Sequence, residues 1–150
     1  MGKNLFGEFI FHPSDIAVGL LKENPELYTL SLVDGTKQGF RLKSEKGDGY
    51  SNITGFYMIY LDSIPLYCGY SMSKEGGIYN RISRWVKEVM GNSTNYEKHP
   101  AARKYRNMYG RSLSNLKVQI MPYYDEQLST VKAIEKSLIV HKNPLLNQSR

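Results

Sequence analysis

Four side chains in the last hundred residues combine reactive chemistry with settings that constrain it. Glu135 lies at the edge of an apolar helical stripe, with Val131 four residues before it and Leu138 and Ile139 three and four after. A carboxylate so placed loses part of its hydration and needs a cation or a donor. A divalent metal would supply one, and so would a salt bridge to a neighbouring lysine or arginine. Tyr57 and Tyr67 fall on two strand-like runs joined by a tight turn, with Gly55 two residues before the first and Gly69 two after the second. A hairpin can bring two phenols onto one face, where each can position water or a phosphate oxygen. Ordinary aromatic filling of a sheet would use the same residues. Arg81 has Trp85 four residues on, so the two are neighbours on a helix. Arg81 could present its fork to a phosphate, Arg84 competes for that role, and a solvated surface arginine is the plain alternative.

A second group carries charge rather than reactivity. Lys98, Arg103, Lys104, Arg106 and Arg111 lie in one stretch without an acid, interleaved with Tyr105 and Tyr109. Cations with aromatics on one helix could track a DNA backbone; a solvated face is the alternative. The whole chain carries a formal charge of +6 over 150 residues, unevenly spread. Residues 1–50 hold six Lys/Arg against seven Asp/Glu, and residues 51–150 hold fourteen against seven. A basic body beside a near-neutral N-terminal segment points to a polyanion, with nucleic acid the commonest. His12, His99 and His141 show no metal-ligand spacing, although His99 adjoins the basic stretch and could touch phosphate. Cys68 is the single cysteine, which excludes a disulfide framework and a cysteine-based zinc site; it reads as a buried thiol. The N-terminus has no apolar stretch long enough for a signal peptide or a membrane span, so a cytoplasmic protein with no membrane partner is expected.

The elements that must position these residues follow from periodicity and punctuation. Pro13-Ser14-Asp15 opens a helix over 13–24, and a hairpin over 27–43 turns at Asp34-Gly35. Residues 44–52 read as a linker. Gly55–Leu61 and Ile64–Tyr70 form a second hairpin around Asp62-Ser63. Ile78, Ile82, Val86 and Val89 share one face of a helix over 78–90. Pro100 and Gly110 bracket a helix over 100–109, Leu116–Pro122 alternates as a third strand, and Ser129-Thr130 cap a last helix ending near 141. The class is α+β: a three-stranded antiparallel sheet flanked by helices over 54–148, with residues 1–50 as a helix-plus-hairpin extension that docks DNA or completes the core.

In their order these signals resemble a known family. Gly55-Phe56-Tyr57, then Tyr67-Cys68-Gly69 ten residues on, looks like the signature of the GIY-YIG nucleases. Arg81-Ile-Ser-Arg-Trp85 resembles the family's arginine followed four residues later by an aromatic or a histidine. Glu135, with Pro144 nine and Asn147 twelve residues beyond it, is similar to the closing motif of the repair branch. The resemblance covers residues 54–148. It implies an endonuclease hydrolysing phosphodiester bonds in double-stranded DNA with one Mg2+ or Mn2+ per active site. Glu135 would hold the metal, Tyr57 would activate or position water, and Tyr67 would help to order it. Arg81 would stabilise charge on the phosphate, and Asn147 would support the site. Gly69 and Trp85 take supporting places, and Arg84, Lys98, His99, Arg103, Lys104, Arg106 and Arg111 are the expected DNA contacts. Four positions depart from the pattern. Phe56 and Cys68 replace other apolar residues, Trp85 offers a donor but no acceptor, and Tyr70 stands where some branches have lysine. A module that binds DNA without cutting it, a nuclease that needs a partner protein for specificity, and a homodimer making two cuts remain alternatives. So does the choice among restriction, mobile-element, phage and repair settings.

Overall fold

The computed structural model describes residues 2–3, 9–10, 12–23, 27–31, 41–43, 53–91 and 99–147. In chain order the elements are β1 (Gly2–Lys3), β2 (Phe9–Ile10), α1 (Pro13–Glu23), β3 (Leu27–Ser31), β4 (Arg41–Lys43), β5 (Gly55–Leu61) and β6 (Ile64–Ser71). There follow α2 (Gly77–Met90), α3 (Pro100–Tyr109), β7 (Leu116–Pro122), α4 (Leu128–Lys142) and a 3-10 turn at Leu145–Asn147. β1 and β2 pair with each other, and the remaining strands form one antiparallel sheet in the order β4-β3-β7-β5-β6. The architecture is α+β.

The sheet is wider than the three strands expected. β7, β5 and β6 lie side by side as read from the sequence, but β3 pairs with the far edge of β7, with Tyr28 opposite Val118, and β4 continues outward. The turn expected at Asp34-Gly35 and the linker expected over 44–52 lie outside the described residues. α1 and β3 are built into the module: β3 extends the sheet beyond β7, and α1 packs on α4.

Both faces of the sheet are covered. On one face, α2 and α3 pack Ile78, Ile82, Trp85, Val86, Val89, Ala102 and Tyr105 against Tyr57, Ile59, Leu66 and Val118. On the other, α1 and α4 pack Ala17, Val131, Ile134 and Leu138 against Phe56, Met58, Cys68 and Met121. This explains why β7 does not show a buried and a wet face. Gln119 and Met121, which alternation puts on the same side of the strand as Lys117, are buried beneath the second helix layer, and Gln119 meets its polar requirement by accepting from the Tyr60 hydroxyl at 2.9 Å. The last helix starts two residues earlier than its expected Ser129-Thr130 cap. Gln127 is its N-cap, and the chain is turned into it by Asp125, whose Oδ1 accepts from the Gln127 N–H at 2.9 Å. Among the described residues no helix is long and apolar enough to cross a membrane.

Candidate functional site

β6 is the edge strand where the two helix layers meet, and the site forms there. β5 and β6 are joined through Asp62-Ser63, with Asp62 at φ 54° in the turn. Their register shifts between Ile59 and Tyr60: Ile59 faces Tyr67 and Tyr60 faces Pro65, leaving Leu66 as the extra residue of a bulge. A bulge re-aims the side chains next to it. Leu66 and Tyr67 both end on the α2/α3 face, where the Tyr67 ring lies 6.2 Å from that of Tyr57 at 46°. Tyr57 is directly opposite Gly69. A Cβ at Gly69 would stand 2.5 Å from the Tyr57 hydroxyl oxygen, so the phenol reaches across β6 through the space a side chain would fill. Gly55 is needed for a different reason: its φ is +142°, and a Cβ there would stand 2.3 Å from the Met121 carbonyl oxygen.

The result is a cleft of about 510 Å³ lined by Tyr57, Tyr67, Gly69 and Tyr70 from β5 and β6, Arg81 and Arg84 from α2, His99 before α3, and Lys132 and Glu135 from α4. Tyr57, Tyr67, Arg81 and Glu135 thus share one space although they come from four elements. Glu135 is 9% exposed, while Arg81 and Arg84 are exposed on the outer side of α2. Burial holds the Tyr57 phenol well above the ordinary tyrosine value of 10.0, and the neighbouring Tyr67, Cys68 and Glu135 push the same way against the pull of Arg81. Without a further cation this phenol keeps its proton at neutral pH.

Asn147 stands outside the cleft and braces its strand. The Cys68 N–H donates to Asn147 Oδ1 at 2.7 Å, and Asn147 Nδ2 donates to the Cys68 carbonyl at 3.1 Å. One buried amide therefore occupies the outward hydrogen-bonding pair of β6, next to both Tyr67 and Gly69. Trp85 is fully buried rather than beside Arg81 at the cleft. Its ring packs on Tyr105 at 5.2 Å, and Nε1 has no hydrogen-bond partner among the described residues. Its support is packing between α2 and α3.

The basic stretch divides. Lys98 lies outside the described residues. Tyr105, read as part of a surface stripe, is a core residue. Arg103 and Arg106 are tied to an acid that the stretch itself lacks. Glu88 on α2 is buried, and Arg103 donates to its Oε1 at 3.2 Å, while Arg106 donates to the Glu88 carbonyl at 2.9 Å and lies 3.9 Å from Oε2. The Arg103 side chain is 46% exposed and that of Arg106 24%. Lys104 and Arg111 are exposed, with the Arg111 guanidinium over Gly91.

Sequence reasoning missed Lys132, Tyr70 as a cleft residue, and Glu88. Lys132 is three residues before Glu135 and so on the same helix face, a signal present in the sequence. Glu88 stands between Val86 and Val89, inside the apolar stripe of α2.

The donor set suits one hard cation with a single protein carboxylate. Glu135 offers buried oxygen beside a space of hundreds of cubic ångströms, enough for an ion that retains its waters. Among the described residues no three His, Cys, Asp or Glu side chains gather as a closed metal cage. The cations on both rims favour an anionic guest. No protein-family model, curated protein or solved structure matches the chain.

Proposed function

We propose that this chain is a divalent-metal-dependent endonuclease of the GIY-YIG type, acting on double-stranded DNA in the cleft at the β6 edge. The observation that carries the reading is the convergence of Tyr57, Tyr67, Arg81 and Glu135 on one cleft. Motif and spacing point to each of the four independently of their place in space.

The reaction adds a water oxygen to phosphorus and breaks one P–O ester bond, giving a phosphomonoester and an alcohol, with the water's protons accounted for on those two products. Glu135 would hold the Mg2+ or Mn2+, which would supply Lewis acidity at the phosphate and lower the pKa of nearby water. Tyr57 and Tyr67 orient the attacking water through their hydroxyls. The raised Tyr57 pKa supports a positioning role in the resting protein. Arg81 meets charge that grows on the phosphate oxygens, where fixed donors count most. Arg84 and Lys132 hold flanking phosphates from opposite rims. Asn147 keeps β6 in register.

The test is conversion of supercoiled plasmid to nicked or linear form with magnesium, repeated with excess chelator. Magnesium-dependent cutting by the wild type is expected. DNA binding without cutting under any divalent metal would leave a binding module in its place.

A further inference from the structure

We propose that His99 is a further catalytic residue: a neutral imidazole that donates a fixed Nε2–H hydrogen bond to the phosphate undergoing hydrolysis. The inference rests on the nuclease reading and adds to it a group from a part of the chain outside all three motifs.

The imidazole lines the cleft, and its nitrogens are not equivalent. His99 is the N-cap of α3, and its Nδ1 accepts the Ala102 N–H at 3.3 Å. A nitrogen that accepts carries no hydrogen, so the ring proton is on Nε2. Protonating Nδ1 would cost the cap, so the ring is set up as a neutral donor rather than as an acid that exchanges its proton.

The residue is also held from several directions. Its backbone N–H donates to Glu88 Oε1 at 3.2 Å, and its carbonyl accepts from the Arg103 N–H at 3.0 Å. The ring stands edge-on to Tyr67, with centroids 4.9 Å apart and planes at 77°. Glu88 is itself fixed by Arg103 and Arg106. A buried carboxylate with two arginines thus acts as the positioning group for a side chain at the cleft wall. A preorganised donor of this kind needs no rearrangement when charge develops on phosphate. His99 keeps its proton throughout; no bond to it forms or breaks.

The amide side chains separate the two jobs of this residue. Asn is a good N-cap, and its short side chain keeps the acceptor for Ala102 while withdrawing the donor from the cleft. Gln is longer and can place an N–H where Nε2 stood. Wild type, His99→Asn, His99→Gln and His99→Ala are to be compared as full chains on one DNA duplex with magnesium, at saturating protein in single turnover. Melting temperature and DNA affinity are measured beside the rate.

The expected result is an Asn variant with wild-type melting and affinity and a rate lowered on the order of 100-fold. The Gln variant should recover at least about tenfold of that loss, within the range of one transition-state hydrogen bond. An Asn variant cutting at the wild-type rate overturns the inference and leaves the nuclease reading in place. If the Asn variant melts early, Gln against Ala decides: equal rates overturn the inference, and a faster Gln variant upholds it. A wild type that leaves the duplex intact under every divalent metal overturns the nuclease reading and this inference with it.

Discussion

Gly69 sits directly opposite Tyr57 across the β5–β6 pair, and a methyl group on its Cα would lie 2.5 Å from the Tyr57 hydroxyl oxygen. The glycine is therefore the opening through which a buried phenol reaches the cleft. Gly69→Ala should displace the ring, because the obstacle is the far end of a stiff aromatic side chain locked in the core. The expected outcome is a loss of cleavage of at least about 100-fold, with destabilisation of about 1–3 kcal/mol from overpacking. Single-turnover rates and a denaturant titration check both. Wild-type cutting by the alanine variant would show that the Tyr57 hydroxyl has no part in the chemistry.

Glu135→Gln keeps the size and removes the charge of the only carboxylate among the described residues that line the cleft. It should abolish magnesium-dependent cleavage while DNA affinity survives or rises, since the cationic rims remain. Tyr57→Phe should cost more rate than Tyr60→Phe. Tyr60 lies on the other face of β5 and spends its hydroxyl on Gln119. Tyr70, which lines the cleft, is no neutral control. Equal losses from the two tyrosine variants would count against a chemical role for Tyr57.

Asn147→Ala should destabilise the fold by about 1–3 kcal/mol, because it leaves the Cys68 N–H and carbonyl without the amide that pairs them. Activity should fall in step with stability and return at lower temperature. A variant that is fully stable but inactive would instead place Asn147 in contact with the reaction.

Much of this site was legible because it is written in local patterns. The bounds of β5 and β7, and of α3, follow from alternation, proline and glycine, and the motif residues sit on them as spacing requires. What was not legible depends on long-range packing. The pairing of β3 with β7 joins residues about ninety apart, and no local feature marks that edge as incomplete. Tyr105 looked like one of a surface pair with Tyr109, but Ala101, Ala102 and Tyr105 make the narrow buried face of a short helix otherwise full of charge. Trp85 belongs by spacing to the Ile78-Ile82-Val86-Val89 stripe, although its helical neighbour Arg81 suggests a polar setting. His99 reaches the cleft only because α3 folds against α2, an arrangement set by Glu88 and by the Trp85–Tyr105 contact.

The buried phenols give the protein an alkaline limit. Tyr57 is held protonated well above 10.0 by burial first, and Tyr60 and Tyr105 are raised in the same direction by the same cause. A folded state that holds a proton more tightly than the unfolded chain gains stability that is fully present below the unfolded value. That gain is lost as pH rises through the folded one. Stability should therefore be insensitive to these groups up to about pH 9 and fall above about pH 10. Tyr57→Phe should flatten that decline by up to about 1.4 kcal/mol per pH unit. Chemical unfolding at several pH values measures the slope, and identical slopes in the two proteins would show that Tyr57 is not the group responsible.

DNA affinity should reside in Arg84 and Lys132 on the rims of the cleft, rather than in Arg103 and Arg106. All four are cations, but their surroundings differ. Arg103 and Arg106 neutralise a buried carboxylate, so removing both strands a charge away from water. Arg103→Ala with Arg106→Ala should cost on the order of 1–3 kcal/mol of stability, less than for a fully buried pair because both side chains are partly exposed. Any fall in DNA binding should track that unfolding and vanish at lower temperature. Arg84 and Lys132 line the cleft, and deleting one cation that pairs with a phosphate should reduce the dependence of log affinity on log salt by about one unit. Arg84→Ala with Lys132→Ala should therefore keep the melting temperature and lower the salt slope by about two. The two double variants, measured together for melting temperature and salt slope, separate the readings. If the Arg103/Arg106 variant melts normally and has the shallower slope while the Arg84/Lys132 variant keeps the wild-type one, DNA runs along α3, and the cleft rims do not set its path.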